Sequence, residues 1–312
     1  MSHTYTARPF LKWAGGKSQL LPQFRLHYPI ELQTGRIRRY IEPFLGGGAV
    51  FLDIAQRCDI AEAYLFDINE ELILVYTVVQ REPRRLLEVL TGLRHRFIEL
   101  DEVGREEFFY AVRRRYNEQR QIINYQVFAD NWIDRAADMI FLNKTCFNGL
   151  YRVNASGEFN VPFGRYKRPE IFEEQKVLRV SELLQRARLF VGAFASSAPT
   201  ITDDSFVYFD PPYRPISRTA SFTSYARDKF DDDDQRKLAC FYTNLAMTTQ
   251  AKLMLSNSDP RNVSPEDTFF DDLYAQFYIH RVSAARMINS DGERRGKISE
   301  ILVTNYQNLE HD

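Results

Sequence analysis

The chain has 312 residues and a formal net charge of -1, with 44% hydrophobic and 27% charged side chains. That composition excludes a disordered chain and does not favour a partner held by global positive charge. No apolar run approaches the ~20 residues of a membrane span, and Met1–Tyr5 lacks a charged-then-apolar signal pattern. The three dispersed cysteines, Cys58, Cys146 and Cys240, offer no disulfide framework or zinc spacing and fit a reducing cytoplasm.

In chain order, the first informative segment is Phe10-Leu11-Lys12-Trp13-Ala14-Gly15-Gly16-Lys17-Ser18. It fails as a phosphate loop, because the first glycine of that motif would fall on Leu11. A Trp and a Lys around a glycine pair suit an adenosyl ring and a carboxylate instead; a lysine merely at the surface is the plainer alternative. Arg39 to Phe44 reads as a strand, followed by Gly46-Gly47-Gly48 and an apolar helix from Ala49 to about Arg57. Ala63 to Asp67 reads as a second strand ending in an acid. Strand, glycine turn, helix and strand open a doubly wound α/β fold. The turn is not G-x-G-x-x-G, since Val50 and Phe51 follow Ala49, which weakens a pyrophosphate-binding reading. Glycines let the backbone approach a ligand, and Asp67 is placed to accept hydrogen bonds from ribose hydroxyls. That combination fits an adenosine cofactor with no demand for phosphates. The alternative for Asp67 is a helix cap before Ile68-Asn69-Glu70.

From Ile68 to Trp132 the pattern is helical, and a further helix is expected over Asp134 to Asn143. Leu150 to Tyr166 alternates on both sides of Asn154-Ala155-Ser156-Gly157, which suggests a β-hairpin. After Pro169 the α/β rhythm returns, with strands at Leu189–Val191, Phe206–Phe209, Lys252–Ser256 and Ile301–Thr304 and a helix over Asp231–Thr248. The run Asp231 to Asp234 reads as acids at a helix N-terminal dipole and not as a metal site. The expected architecture is one α/β domain, 1–70 and 177–312, interrupted by a mainly helical insertion, 71–176, that carries the hairpin. Two segments are locally basic: Lys144, Arg152, Arg165, Lys167 and Arg168, and later Arg281, Arg286, Arg294, Arg295 and Lys297. Each is either a solvated face or a phosphate-binding patch.

Asp210-Pro211-Pro212-Tyr213, after the apolar run Phe206-Val207-Tyr208-Phe209, carries the chemistry. Prolines have no N–H, so the turn presents carbonyl oxygens as acceptors beside the Asp210 carboxylate. An exposed tyrosine adds a platform for stacking. Together these suit a planar heteroaromatic amine; a proline-rich turn after an ordinary strand is the alternative.

Taken together, Lys12–Lys17, Glu42-Pro43-Phe44 with its glycines, Phe66-Asp67-Ile68-Asn69 and Asp210–Tyr213 resemble the ordered motifs of the Dam-type, D12-class DNA adenine-N6 methyltransferases. Phe147–Arg152 and Gly157–Gly164 resemble that family's target-recognition hairpin. Phe222-Thr223-Ser224-Tyr225, Leu255-Ser256-Asn257-Ser258-Asp259 and Arg286–Ser290 are most similar to the GATC modification methylases of DpnII/MboI-type restriction systems. The resemblance covers nearly the whole chain. It implies a Rossmann-like S-adenosylmethionine-dependent sheet, with 71–176 as a target-recognition domain. It implies S-adenosylmethionine as cofactor, contacted by Trp13, Ala14, Gly15, Lys17, Phe44, Gly46, Gly48, Asp67 and Asp210. Asp210 and the Pro211 carbonyl would take the two N6–H bonds of a flipped adenine, with Pro212 shaping the turn and Tyr213 stacking. Lys12, Phe147, Asn148, Leu150, Arg152, Pro162 and Arg165 would contact double-stranded DNA, with Arg294 and Lys297 on phosphates. Phe147 stands where relatives carry Tyr, which removes one hydroxyl contact. A separate restriction endonuclease and a bacterial, nucleoid-associated location are further implications.

Rival readings leave marks of their own. C5-cytosine methylation needs a Pro-Cys pair, but Cys58, Cys146 and Cys240 follow Arg57, Thr145 and Ala239. N4-cytosine methylation stays open, although Asp before Pro-Pro weighs against it. A non-catalytic DNA-binding regulator would be expected to carry a damaged catalytic turn or glycine turn, and both are intact.

Overall fold

The computed structural model describes residues 6–214, 230–284 and 298–308. The motif Phe222–Tyr225, the segment Arg286–Ser290, and Arg294, Arg295 and Lys297 lie outside the described residues.

Two short helices, α1 (Leu21–Phe24) and α2 (Ile30–Gln33), lead into β1 (Arg39–Glu42). β1 stops before Pro43, which has no N–H to extend a ladder. α3 (Ala49–Arg57) and β2 (Glu62–Asp67) follow. The helical stretch comprises α4 (Glu70–Arg81), α5 (Pro83–Glu99), α6 (Glu102–Gln119) and α7 (Asn131–Thr145). Then come α8 (Glu174–Leu184), β3 (Ala187–Val191), β4 (Ser205–Phe209), α9 (Asp232–Thr248), β5 (Lys252–Ser258), α10 (Phe269–Leu273), β6 (Tyr278–Ala284) and β7 (Ile298–Thr304).

The described strands form one seven-stranded sheet in the order β3-β2-β1-β4-β5-β7-β6. The first five run parallel, and β7 is antiparallel to both neighbours. Strand order reverses between β1 and β4, which lie side by side. In open α/β sheets that switch point opens a crevice at the carboxyl ends of the strands. β6 is a strand that the sequence pattern hid, because His280 and Arg281 interrupt its apolar residues.

Every residue of β4 is buried, as expected of a central parallel strand covered on both faces. One apolar cluster joins Tyr40 and Phe206 of one sheet face to Phe24 of α1, to Leu72 and Val75 of α4 and on to Phe97, Phe109 and Phe141. The other face packs Ile41, Val207 and Phe209 under Leu238 and Tyr242 of α9. A buried polar knot fastens the helices to one another. Arg135 of α7 pairs with Glu71 of α4 and donates to the Tyr116 carbonyl of α6 at 2.7 Å, while the Tyr125 hydroxyl also donates to Glu71.

The expected hairpin is present as a turn with isolated bridges, Val153 to Phe159 and Cys146 to Phe163, and not as two strands. Across the turn, the Asn154 N–H donates to the Glu158 carbonyl at 2.9 Å and the Asn160 N–H to the Arg152 carbonyl at 3.1 Å, and the outward backbone groups of Phe159 are taken up by α6. Asn117 of α6 accepts from the Phe159 N–H at 2.9 Å and donates to the Phe159 carbonyl at 3.1 Å. Gly157, at φ +78°, closes the turn. Among the described residues, no helix is long and apolar enough to cross a membrane.

Candidate active site

β4 delivers Asp210 to the crevice. Its Oδ1 lies 2.7 Å from the Lys17 Nζ and accepts from the Ser256 hydroxyl at 3.1 Å. Ser256 is in turn 2.7 Å from the Tyr208 hydroxyl. Lys17 is 3% exposed, so it is not a surface lysine. Its ammonium also donates to the Gly15 carbonyl at 2.8 Å and sits 4.6 Å from the centre of the Tyr213 ring. Burial pushes the Asp210 carboxyl above its ordinary range, and the Lys17 charge with the Lys17 and Ser256 hydrogen bonds pulls it back. Lys17 is thus a counter-charge that favours the ionised form of the partly buried Asp210.

The rest of the turn is pinned from several sides. Pro211 is buried and Pro212 exposed. Tyr213 is half-buried and not exposed as the sequence suggested; its hydroxyl is buried beside Glu300 of β7, without a well-formed hydrogen bond. The Pro212 carbonyl accepts from the Gln235 side chain at 3.0 Å. Arg214 donates to Asp232 at 2.7 and 3.0 Å and to Asp267 at 2.7 Å. The aspartate run therefore does more than meet a helix dipole. Asp231 and Asp234 form a capping box for α9, while Asp232 anchors Arg214, the residue after the Asp210–Tyr213 turn.

Beside this turn, the glycine loop after β1 meets the end of β2. The Gly46 N–H donates to Asp67 Oδ2 and the Asn69 N–H to Asp67 Oδ1, both at 2.9 Å. Asp67 is not the helix cap; Asn69 is, accepting from the N–H groups of Glu71 and Leu72. Gly48 has φ +67°, and a Cβ there would lie 2.6 Å from the Tyr76 hydroxyl, which donates to the Gly46 carbonyl at 3.3 Å. Trp13 lies against this loop: a Cβ on Gly46 would come within 3.2 Å of its ring. The same ring stacks on Tyr151 of the hairpin, with centres 5.2 Å apart. Ala14 and Gly15 are exposed alongside, and Phe44 is half-buried against Phe194 and Phe230. Each Asp67 oxygen keeps a lone pair beyond its backbone bond, so the acid still has acceptors for a ribose. Loop, acid and indole together fit an adenosyl group.

The hairpin side is joined to the same crevice through Asn143. This fully buried amide accepts from the Lys12 N–H at 2.8 Å and donates to the carbonyls of Lys12 and Gly149 at 2.9 and 3.0 Å. The Lys12 stem crosses Gly149, and its ammonium is 5.2 Å from the centre of the Tyr166 ring. Asn148, at φ 56°, turns the chain sharply, as Asn tolerates. Phe147 and Leu150 remain 54% and 42% exposed, large apolar side chains at the tip of a polar loop. Arg152 is exposed and oriented by Asn160, to which its Nε donates at 2.8 Å; Pro162 is exposed nearby in sequence. Arg165 pairs with Glu106 at 3.2 Å. In the second basic segment, Arg281 is engaged internally, by Asp259 at 3.0 Å and Asp271 at 2.8 Å, and is not a free cation. Lys144 is half-buried, and burial with Lys176 and Lys12 nearby pushes its ammonium down to about 8.

Several contributors carried no distinct signal in the sequence. Gln235 and Asn143 are fully buried amides. Glu42 is 2% exposed and accepts from the Tyr40 hydroxyl at 2.8 Å, and burial pushes its carboxyl well upward. An acid at the end of an apolar strand was its visible mark.

Comparison with known proteins shows the family. Residues 13–288 match the D12 class N6 adenine-specific DNA methyltransferase family. Type II methyltransferase M.MjaIII of Methanocaldococcus jannaschii is 49% identical over 300 residues, covering 96% of this chain and 99% of that protein. Type II methyltransferase M1.LlaDCHI of Lactococcus lactis subsp. cremoris is 36% identical over 303 residues, covering 96% of each. The DNA adenine methylase of Vibrio cholerae is 34% identical over 296 residues, covering 95% of each. The chain belongs to the D12 class of N6 adenine-specific DNA methyltransferases, enzymes that move a methyl group from a donor to adenine in DNA.

Proposed function

We propose that this enzyme uses S-adenosylmethionine to methylate adenine in GATC, acting on a base flipped out of the duplex, as the modification partner of a separate restriction endonuclease. The observation that carries the reading is Asp210, held by Lys17 and Ser256 at the end of β4 and next to the Asp67–glycine loop. Trp13, Ala14, Gly15, Phe44, Gly46, Gly48 and Asp67 would hold the cofactor, with Lys17 and Asp210 at its methyl end. The cofactor supplies a methyl group already activated by a sulfonium.

The protein's task is then to place and sharpen the nucleophile. Adenine N6 is weak because its lone pair is delocalised into the ring. Asp210 and the Pro211 carbonyl, accepting from both N6–H bonds, favour a tetrahedral nitrogen with its lone pair free. Lys17 favours the anionic form of Asp210, and Asp210 takes the departing proton or passes it to water. Flipping costs a few kcal/mol, and stacking on Tyr213, worth ~1–3 kcal/mol per base in single-strand binding, offsets part of that.

Residues 1–70 and 177–312 serve as the catalytic domain, and 71–176 as the target-recognition domain. Lys12, Phe147, Asn148, Leu150, Arg152, Pro162 and Arg165 would meet the duplex, with Arg152 suited to guanine O6 and N7. Two relatives bear the name type II methyltransferase, which supports the link to restriction.

The test is transfer of labelled methyl from S-adenosylmethionine to two duplexes of equal composition, one containing GATC, followed by nucleoside analysis. Label in N6-methyladenine of the GATC duplex alone is expected. Label in cytosine, or equal label in both duplexes, would refute the reading.

A further inference from the structure

Leu255-Ser256-Asn257-Ser258 lies on β5, away from the reacting turn in sequence but beside it in space. β5 pairs with β4 in parallel register, Phe209 opposite Leu255. Successive side chains of a strand point to opposite faces. Here the two faces grip the same turn at different points. Ser256 donates to Asp210 at 3.1 Å. Asn257, fully buried, donates to the Gln235 Oε1 at 3.3 Å, and its own side-chain carbonyl accepts from the Ser258 N–H at 2.8 Å. Gln235, also fully buried in the first turn of α9, passes the connection on: its Nε2 donates to the Pro212 carbonyl at 3.0 Å.

The turn needs such a hold. Pro211 and Pro212 have no N–H, so neither can fix itself by donating a backbone hydrogen bond. Proline fixes φ but not ψ, and ψ at Pro212 decides where the Pro212–Tyr213 peptide plane and hence the Tyr213 ring stand. A hydrogen bond to the Pro212 carbonyl sets that angle. Asp210 and Arg214 are anchored on either side by Lys17 and Ser256 and by Asp232 and Asp267.

We propose that Gln235, oriented by Asn257, is a positioning residue that fixes the Pro212 carbonyl and thereby the geometry of the Asp210–Tyr213 turn in methyl transfer. This rests on that turn being the reacting site.

The experiment is single-turnover methyl transfer to the GATC duplex at saturating DNA and S-adenosylmethionine, for the wild type, Gln235→Glu, Gln235→Met and Asp210→Asn. Melting temperature and cofactor Kd are measured on the same samples. Gln235→Glu keeps the acceptor for Asn257 and loses the donor to Pro212. Its rate should fall roughly 10–100-fold, the scale of an ångström-level misplacement, with cofactor Kd nearly unchanged. The ratio of its rate to the wild-type rate should climb as pH falls, because the introduced carboxyl, once protonated, donates again. Gln235→Met should be slow at every pH. If Gln235→Met prevents folding, Gln235→Glu alone decides. A Gln235→Glu rate equal to wild type up to the alkaline end of the pH profile, with Asp210→Asn inactive, would overturn the proposal and leave the site intact. A wild-type rate in Asp210→Asn would overturn the site and the proposal together.

Discussion

Lys17 illustrates how one side chain changes the chemistry of another. Its ammonium is buried against Asp210, and both depend on the pair. Removing one member of a buried pair commonly costs about 3–5 kcal/mol, because the other charge stays behind. Lys17→Met should therefore destabilise the fold and also push the Asp210 carboxyl further up. Less of the carboxylate is then ionised at a given pH. The acid limb of the single-turnover pH profile should move to higher pH, and an unmoved limb would separate Lys17 from Asp210 in function. Gly48 carries a different constraint. Alanine there meets both a left-handed backbone, costing about 1–2 kcal/mol, and the Tyr76 hydroxyl. Gly48→Ala should lower the melting temperature and weaken cofactor binding, as calorimetry would show. On the DNA side, Arg152→Ala should relax discrimination at one guanine by ~1–3 kcal/mol. Equal weakening on every duplex would instead identify a phosphate contact.

Among the elements, polar side chains do much of the joining. Asn117 ties the outer edge of the 150–166 hairpin to α6, and Asn143 ties the Phe147–Leu150 loop to Lys12. Asn143→Leu would leave those backbone groups unsatisfied, at about 1–3 kcal/mol each. Its expected mark is lost DNA discrimination in competition assays alongside a lower melting temperature. At the far edge of the sheet, His280 of β6 lies against His27, with ring centres 4.3 Å apart. Burial lowers both imidazoles below the ordinary histidine range, and His280 adds repulsion for His27. As pH falls through about 6.5, the unfolded chain takes up protons before the folded one. Stability present above that pH is therefore lost on acidification. His280→Gln should flatten the dependence between about pH 7.5 and about pH 5, read from melting temperature; an unchanged slope would remove the pair from that role.

Across the whole molecule, what was legible in sequence was local. β1, the glycine loop, α3 and Asp67 could be read because strand, turn and helix patterns lie within one short stretch. The Asp210–Tyr213 turn could be read because two prolines after a buried strand are chemically distinctive. Partnerships between distant segments were not legible. Nothing in Lys17 names Asp210, and nothing in Tyr213 announces Glu300, which arrives on the last strand and shares its burial. β6 was missed because its edge position admits His280 and Arg281, and Gln235 because a glutamine in an acidic first turn looks like solvent-facing helix. The sheet order brings these pieces to one crevice, and there the reading stands or falls on Asp210. The most direct measurement is the single-turnover rate of Asp210→Asn against wild type on a GATC duplex, with cofactor binding measured in parallel. The variant keeps the shape of the acid but not its charge. A rate lower by ~10²–10⁴-fold, with N6-methyladenine the wild-type product and cofactor Kd nearly unchanged, is the expected result. A variant rate near that of the wild type would contradict it.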